Sequence, residues 1–221
     1  VGRCLGKSGL NLTGNTMLYR KLDLFPTSIL TINMEDEITE EDRKEMILDA
    51  DKIIDRGIIE TNPSAPKYQT RPIIFSNSSL EVWKKLERSF LDCCHFYLQT
   101  VEGFCHHQNI HRITHTRAWV YKSNNVSVEP DKSVFFSPWH THSPAFLCGI
   151  FYLSVPDNEK NNLSTGFRDP RGLAIGSPLD VNVHANINCW NIFPGWLPHR
   201  ANVIDSPDWR YTVAADAFIT I

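Results

Sequence analysis

The spacing of apolar residues changes once along this chain, near Thr114. Before that point apolar positions recur every three or four residues; after it they come in short runs broken by turn residues. The first pattern predicts helices. Thr39, followed by Asp42, opens one that runs to about residue 56, with Met46, Ala50, Ile53 and Ile54 on one side and Gly57 closing it. Ser78 and Glu81 have capping-box spacing, and the helix predicted behind them, to residue 101, carries Trp83, Leu86, Phe90, Cys94, Tyr97 and Val101 as one stripe. Such a stripe is a core-facing surface. Upstream, Phe25, Ile29, Leu30 and Ile32 predict a strand over 24–33, and three prolines predict a loop over 62–72. Beyond Thr114, runs at 117–121, 147–155, 181–184, 189–193 and 211–221 read as strands. Two helices followed by many short strands, with no fixed repeat, point to a small β-sandwich or jelly roll with helices on one face.

Composition narrows this little. A length of 221 residues suits one domain, and 42% hydrophobic residues suffice for a sizeable core. Residues 1–20, rich in Gly, Asn, Thr and Ser, read as an N-terminal arm. The domain is expected over 21–221, with helical support at about 36–101 and the β core at about 114–221. Lys and Arg number 22 against 25 Asp and Glu, a net charge of −3, so no general grip on nucleic acid or on an anionic membrane is expected. The stretch 106–122 is basic only with its histidines protonated, and reads as a solvated loop entering a strand. Six cysteines form no CxxC pair, and Cys93 and Cys94 are helix neighbours that point apart; reduced thiols and a cytoplasmic location follow. The sequons at Asn11, Asn77, Asn125 and Asn162 would matter only in a secreted chain. No apolar run of signal-peptide or membrane-spanning length occurs. Gly6-Lys7-Ser8 is no phosphate loop, because the position that needs the earlier glycine is Val1.

Histidine spacing carries the chemistry. In a strand, residues i and i+2 face the same side, so His140 and His142 can reach one cation. Alone, such a pair reads as two polar residues at a strand end. His199, in the proline-stiffened turn Phe193-Pro194-Gly195-Trp196-Leu197-Pro198-His199, supplies a third imidazole. Imidazole suits iron, zinc and copper, and three facial ligands leave positions open.

These residues resemble a known family. His140-Thr141-His142-Ser143-Pro144, then Gly149-Ile150-Phe151-Tyr152-Leu153-Ser154, is similar to the HxD segment and following strand of prolyl-hydroxylase-type 2-oxoglutarate oxygenases. Trp190-Asn191-Ile192-Phe193-Pro194 resembles the strand before that family's distal histidine. Arg210 follows His199 by eleven residues, with Thr212 two further on, as the family's co-substrate anchor does. Within the family, small bacterial and phage oxygenases resemble this chain in the HxH run, the segment 148–156, Asp169-Pro170-Arg171 and 193–199. The resemblance spans about residues 117–221. It implies an α+β, mainly β fold, a double-stranded β-helix (jelly-roll) core with N-terminal helices on one face. It also implies a dioxygenase that takes Fe(II), 2-oxoglutarate and O2, hydroxylates a small-molecule or peptide substrate, and releases succinate and CO2. His140, His142 and His199 would be the metal ligands and catalytic centre. Arg210, Tyr152, Thr212 and Tyr121 would bind 2-oxoglutarate, Arg210 through its planar fork.

One departure matters: His142 stands where the family has a carboxylate. Either all three imidazoles ligate, leaving Fe(II) formally +2, or a carboxylate such as Asp169 ligates with His142 behind it. Trp119, on the same strand as Tyr121, could line the co-substrate pocket, and reads rather as a packed core aromatic. Arg168, Asp169 and Arg171 fit either a substrate contact or a salt-bridged turn. His95, His106, His107, His111, His115 and His184 read as structural or exposed. Two other classes share the HxH pattern, a cupin-type dioxygenase without 2-oxoglutarate and a non-catalytic jelly-roll module. Cupins carry a Glu soon after HxH, and here none occurs before Glu159.

Overall fold

A computed structural model describes residues 9–10, 16–17, 27–57, 59–60, 67–77, 79–101, 113–124, 138–156, 164–169, 180–202, 204 and 206–219. The expectations for Phe25, Ser78, His106, His107, His111, Arg171 and the sequons at Asn11, Asn125 and Asn162 lie outside those residues. So does most of the arm, apart from two short paired strands, β1 (Gly9–Leu10) and β2 (Thr16–Met17).

After strand β3 (Leu30–Asn33), helix α1 (Glu40–Asp55) begins as its sequence dictates. The Thr39 side chain accepts from the Asp42 N–H at 3.1 Å, and Asp42 accepts from the Thr39 N–H at 2.8 Å. Gly57, at φ 71°, follows the C-cap, a conformation that costs glycine nothing. Prolines did not keep 62–72 free of structure. Strand β4 (Ile59–Glu60) pairs with β5 (Lys67–Thr70), because Pro66 and Pro72 flank β5 and leave its N–H groups free to pair. A one-turn helix α2 (Ile74–Asn77), too short to show a period, precedes α3 (Glu81–Thr100). The N-cap of α3 is Leu80, with no side-chain cap bond. Its predicted apolar stripe is buried throughout.

The remaining strands are β6 (Ile113–Ser123), β7 (Leu147–Ser154), β8 (Ser164–Arg168), β9 (Asp180–His184), β10 (Cys189–Pro194), β11 (His199–Ala201) and β12 (Arg210–Ile219). β8 and β11 carry too few apolar residues to be legible in sequence. A larger sheet runs β3-β10-β7-β12-β6-β5-β4, and a smaller one β11-β8-β9, which an antiparallel bridge between His140 and His199 extends. Between β6 and β12 the chain crosses repeatedly from one sheet to the other. That winding is a jelly roll, the double-stranded β-helix.

Alternation gives the larger sheet two apolar faces. Ala118, Val120, Leu147, Phe151, Leu153, Trp190, Ile192, Val213 and Ala215 pack with Trp83, Leu86 and Phe90 of α3 in the main core. On the other face, Cys148 and Phe193 meet Phe167 of β8, with Ala145 and Leu197, in a smaller core between the sheets. Phe167 and Phe193 touch edge to face at 4.9 Å. Cys93, Cys94, Cys148 and Cys189 are free and buried, and burial pushes the Cys93 thiol up to about 12. Among the described residues no helix is long and apolar enough to cross a membrane.

Helix α3 lies so close to the sheet that Gly149 has no room for a side chain. A Cβ there would meet Phe90 at 2.7 Å and Trp190 at 2.9 Å. Gly149→Ala is expected to cost ~1–3 kcal/mol of unfolding free energy through overpacking, read from urea denaturation. An unchanged midpoint would mean that the two rings yield freely.

Candidate metal centre

His140 and His199 are held opposite each other by the backbone. His140 N–H donates to the His199 carbonyl at 3.1 Å, and His199 N–H donates back at 3.0 Å. His142 is fixed separately, its N–H donating to the Gly195 carbonyl at 2.8 Å. Gly195 must be glycine here, since a Cβ would lie 2.0 Å from the Ala145 carbonyl oxygen. The proline-rich turn and the HxH segment are thereby locked together. One ring nitrogen from each of the three histidines falls within 4.8 Å of the others.

Their tautomers follow from the partners of Nδ1. That atom lies 2.8 Å from the Pro138 carbonyl in His140, 2.6 Å from Asp216 Oδ1 in His142, and 2.9 Å from the Leu197 carbonyl in His199. Carbonyls and carboxylates accept, so each Nδ1 donates, and a neutral ring then keeps its lone pair on Nε2. Burial, with His140 and His142 nearby, pushes His199 down to about 3, so it is neutral at physiological pH. Three Nε2 lone pairs facing one another suit a divalent transition metal. Asp169 does not join the group.

A second group, His142, Cys148 and Asp216, shares His142. Its carboxylate is already engaged: Arg117 Nε donates to Oδ2 at 2.8 Å, and Cys148 Sγ to Oδ1 at 3.1 Å. Burial alone would raise the Asp216 carboxyl, but the bonds from His142, Cys148 and Arg117 hold it below the usual range.

At the far end of the same sheet face lies a different chemistry. Arg210 is 4% exposed, its Nε has no hydrogen-bond partner, and no carboxylate among the described residues pairs with it. Burial drives its pKa down, while the neighbouring Tyr152 opposes that. A surface ion pair of Arg210 with Asp205, Asp208 or Asp216 is the alternative to an anchoring role; neither Asp208 nor Asp216 pairs with it, and Asp205 lies outside the described residues. Tyr152 is buried, its hydroxyl 2.7 Å from Thr165 Oγ1, and burial raises its pKa. Thr212 is buried and faces both Tyr152 and Tyr121 across the strands. Asn191 belongs with them, although nothing in the sequence singled it out. It is fully buried, its Oδ1 accepts from Thr31 at 2.7 Å, and its Nδ2 has no partner.

Trp119 is buried, on the face opposite Ala118 and Val120, with its ring 5.3 Å from that of His142 and its indole N–H without a partner among the described residues. Arg168 takes the salt-bridge alternative, pairing with Asp180 at 3.0 Å and stacking on Trp139 at 4.1 Å. His95 and His184 are exposed, and His115 stacks on Phe218. Asp216 and Arg117 were legible in principle, since Arg210, Thr212 and Asp216 share one strand face.

No protein-family model and no curated protein matches the sequence. Solved structures do match in fold. A prolyl hydroxylase from Trichoplax adhaerens, in complex with a hypoxia-inducible-factor peptide, has 13% identity and a TM-score of 0.59, over 86% of this chain and 83% of that one. The non-haem α-ketoglutarate-dependent epimerase SnoN of nogalamycin biosynthesis has 10% identity and a TM-score of 0.59, over 87% and 79%. HygX from Streptomyces hygroscopicus, with nickel and 2-oxoglutarate bound, has 12% identity and a TM-score of 0.52, over 88% and 84%. The fold of this chain is the double-stranded β-helix of the prolyl-hydroxylase-like 2-oxoglutarate oxygenases.

Proposed function

We propose that this chain is an Fe(II)- and 2-oxoglutarate-dependent dioxygenase that hydroxylates a small-molecule or peptide substrate. The observation that carries the reading is Arg210. A buried guanidinium that no carboxylate among the described residues pairs with costs several kcal/mol, which an incoming carboxylate would offset. Its strand, β12, also carries Asp216, whose carboxylate bonds His142 of the imidazole group. The donor set fits the metal as well: three imidazoles, each offering one ring nitrogen within 4.8 Å of the others.

His140, His142 and His199 would hold the iron. Arg210 would clasp the distal carboxylate of 2-oxoglutarate, with the Tyr152 hydroxyl, Thr212 and the free Asn191 amide completing an anion pocket and Tyr121 lining it. When bound, iron and 2-oxoglutarate supply the oxidising power: decarboxylation to succinate and CO2 is coupled to placing one oxygen atom of O2 in a substrate C–H bond. The chain contributes orientation and dryness. Phe193, at 4.7 Å from the His199 ring, and Trp119, at 5.3 Å from the His142 ring, would help exclude water from a metal held there.

Two outcomes test this. His140→Ala and His199→Ala should each lose tight iron binding after anaerobic reconstitution while circular dichroism stays native, whereas Asp169→Ala should bind normally. Wild-type iron content in either histidine variant would remove that residue from the ligand set.

Arg210→Met should leave the ligand-free protein as stable or more so, because it removes an uncompensated charge. It should also weaken 2-oxoglutarate binding by ~2–5 kcal/mol, roughly thirty- to several-thousand-fold. Arg210→Lys should restore binding only in part. Anaerobic titration of the Fe(II) protein and thermal shifts with and without 2-oxoglutarate measure both. Equal affinity in Arg210→Met would refute the anchor, and no saturable binding by wild type would refute the assignment.

A further inference from the structure

The usual triad of this fold brings a carboxylate directly to the metal, and this chain has His142 in that place. Behind His142 stands Asp216. We propose that Asp216 supplies through the His142 ring the negative charge that a ligating carboxylate would give directly, and is the positioning residue of that ring. The inference rests on the three-histidine iron reading.

Geometry favours it over a purely structural role. Asp216 is 0% exposed, and both its oxygens are occupied: Oδ1 by His142 Nδ1 at 2.6 Å and Cys148 Sγ at 3.1 Å, Oδ2 by Arg117 Nε at 2.8 Å. Three donors on three segments therefore fix one carboxylate. β12 places Asp216 directly opposite Arg117 of β6 and Cys148 of β7. Arg117 does not require this partner, since its side chain is 43% exposed and water can solvate it. A buried carboxylate is expensive unless something inside needs it. The inward groups it contacts are Cys148 and His142, and of the two only His142 also belongs with His140 and His199. An imidazole whose Nδ1–H is given to a carboxylate is fixed in tautomer and ring angle, and its Nε2 is a stronger base toward a metal. The carboxylate has thus moved one bond outward, from the HxD strand to the strand that also carries Arg210. Direct ligation by Asp216 is excluded, because its oxygens lie with His142 and Cys148 and do not join the group that holds His140 and His199.

Anaerobic titration with Co(II) alone, followed by its visible d–d bands, tests the proposal without requiring turnover. Asp216→Asn keeps the shape and removes the charge. It should raise the Co(II) dissociation constant about tenfold to a hundredfold and shift the bands. Adding His142→Asp to that variant brings a carboxylate directly to the metal and should recover most of the affinity, although each change alone alters a buried pair. Asp216→Asn with wild-type affinity and spectrum would overturn the proposal, as would failure of the double variant to recover. If Asp216→Asn does not fold, proton NMR of the wild-type Co(II) protein decides. A paramagnetically shifted ring N–H that vanishes in His142→Asp should exchange with solvent more slowly than that of His140. Exchange as fast as that of His140 would overturn it. Absence of saturable Co(II) binding by wild type would instead defeat the three-histidine reading itself.

Discussion

Strand β12 has to serve two interiors with one backbone. Because side chains alternate, Tyr211, Val213, Ala215 and Ala217 go to the helical core, and Arg210, Thr212 and Asp216 go to the space between the sheets. Eight of its ten positions are buried, so neither face is free to drift, and a slip of one residue would drive an Arg and an Asp into the helix-facing core. Pairing on both sides, with β6 and β7, pins the register. Everything described at the site inherits its position from that pinning: the guanidinium at one end, the carboxylate behind His142 towards the other, and Thr212 between them.

The polar groups on this face obey two regimes. Around Asp216 three donors share one carboxylate, which stays ionised despite complete burial. Around Arg210 the Nε of Arg210 and the Nδ2 of Asn191 have no partner among the described residues. Folding tolerates the second regime only because the first, together with two apolar cores, supplies the stability. A satisfied network is rigid and an unsatisfied one is receptive, and this sheet face carries both. The division matches the two tasks assigned above, holding a cation in fixed geometry and admitting an anion.

Sequence conveyed the long periodic elements and the chemistry-bearing residues well. The capping box at Thr39, the stripe of α3, the inward HxH pair and the third histidine in its proline turn are all local patterns. What it concealed was non-local. Asp216 looked like one of several acids near Arg210, and only the pairing of β12 with β6 and β7 brings it to Arg117 and Cys148. Trp119 looked like core because aromatic residues usually are; its face is decided by strand register, which a single sequence does not display. Asn191 sat inside an apolar run, where one amide carries no signal until Thr31 of a distant segment is seen to hold its oxygen. β8 and β11 were illegible because a covering strand of three to five residues needs few apolar positions of its own.

The reciprocal backbone bonds between His140 and His199 bear on how such a protein matures. Two of the three imidazoles are brought together by main-chain bonds that owe nothing to a metal, and the third is tied to Gly195 in the same way. The cavity is therefore built during folding and not by the ion, the reverse of a zinc finger, where loading and folding are one event. For the iron enzyme proposed above, folding and metallation would be separable in time: a finished chain could wait, be charged when iron is at hand, lose it to a chelator and be charged again.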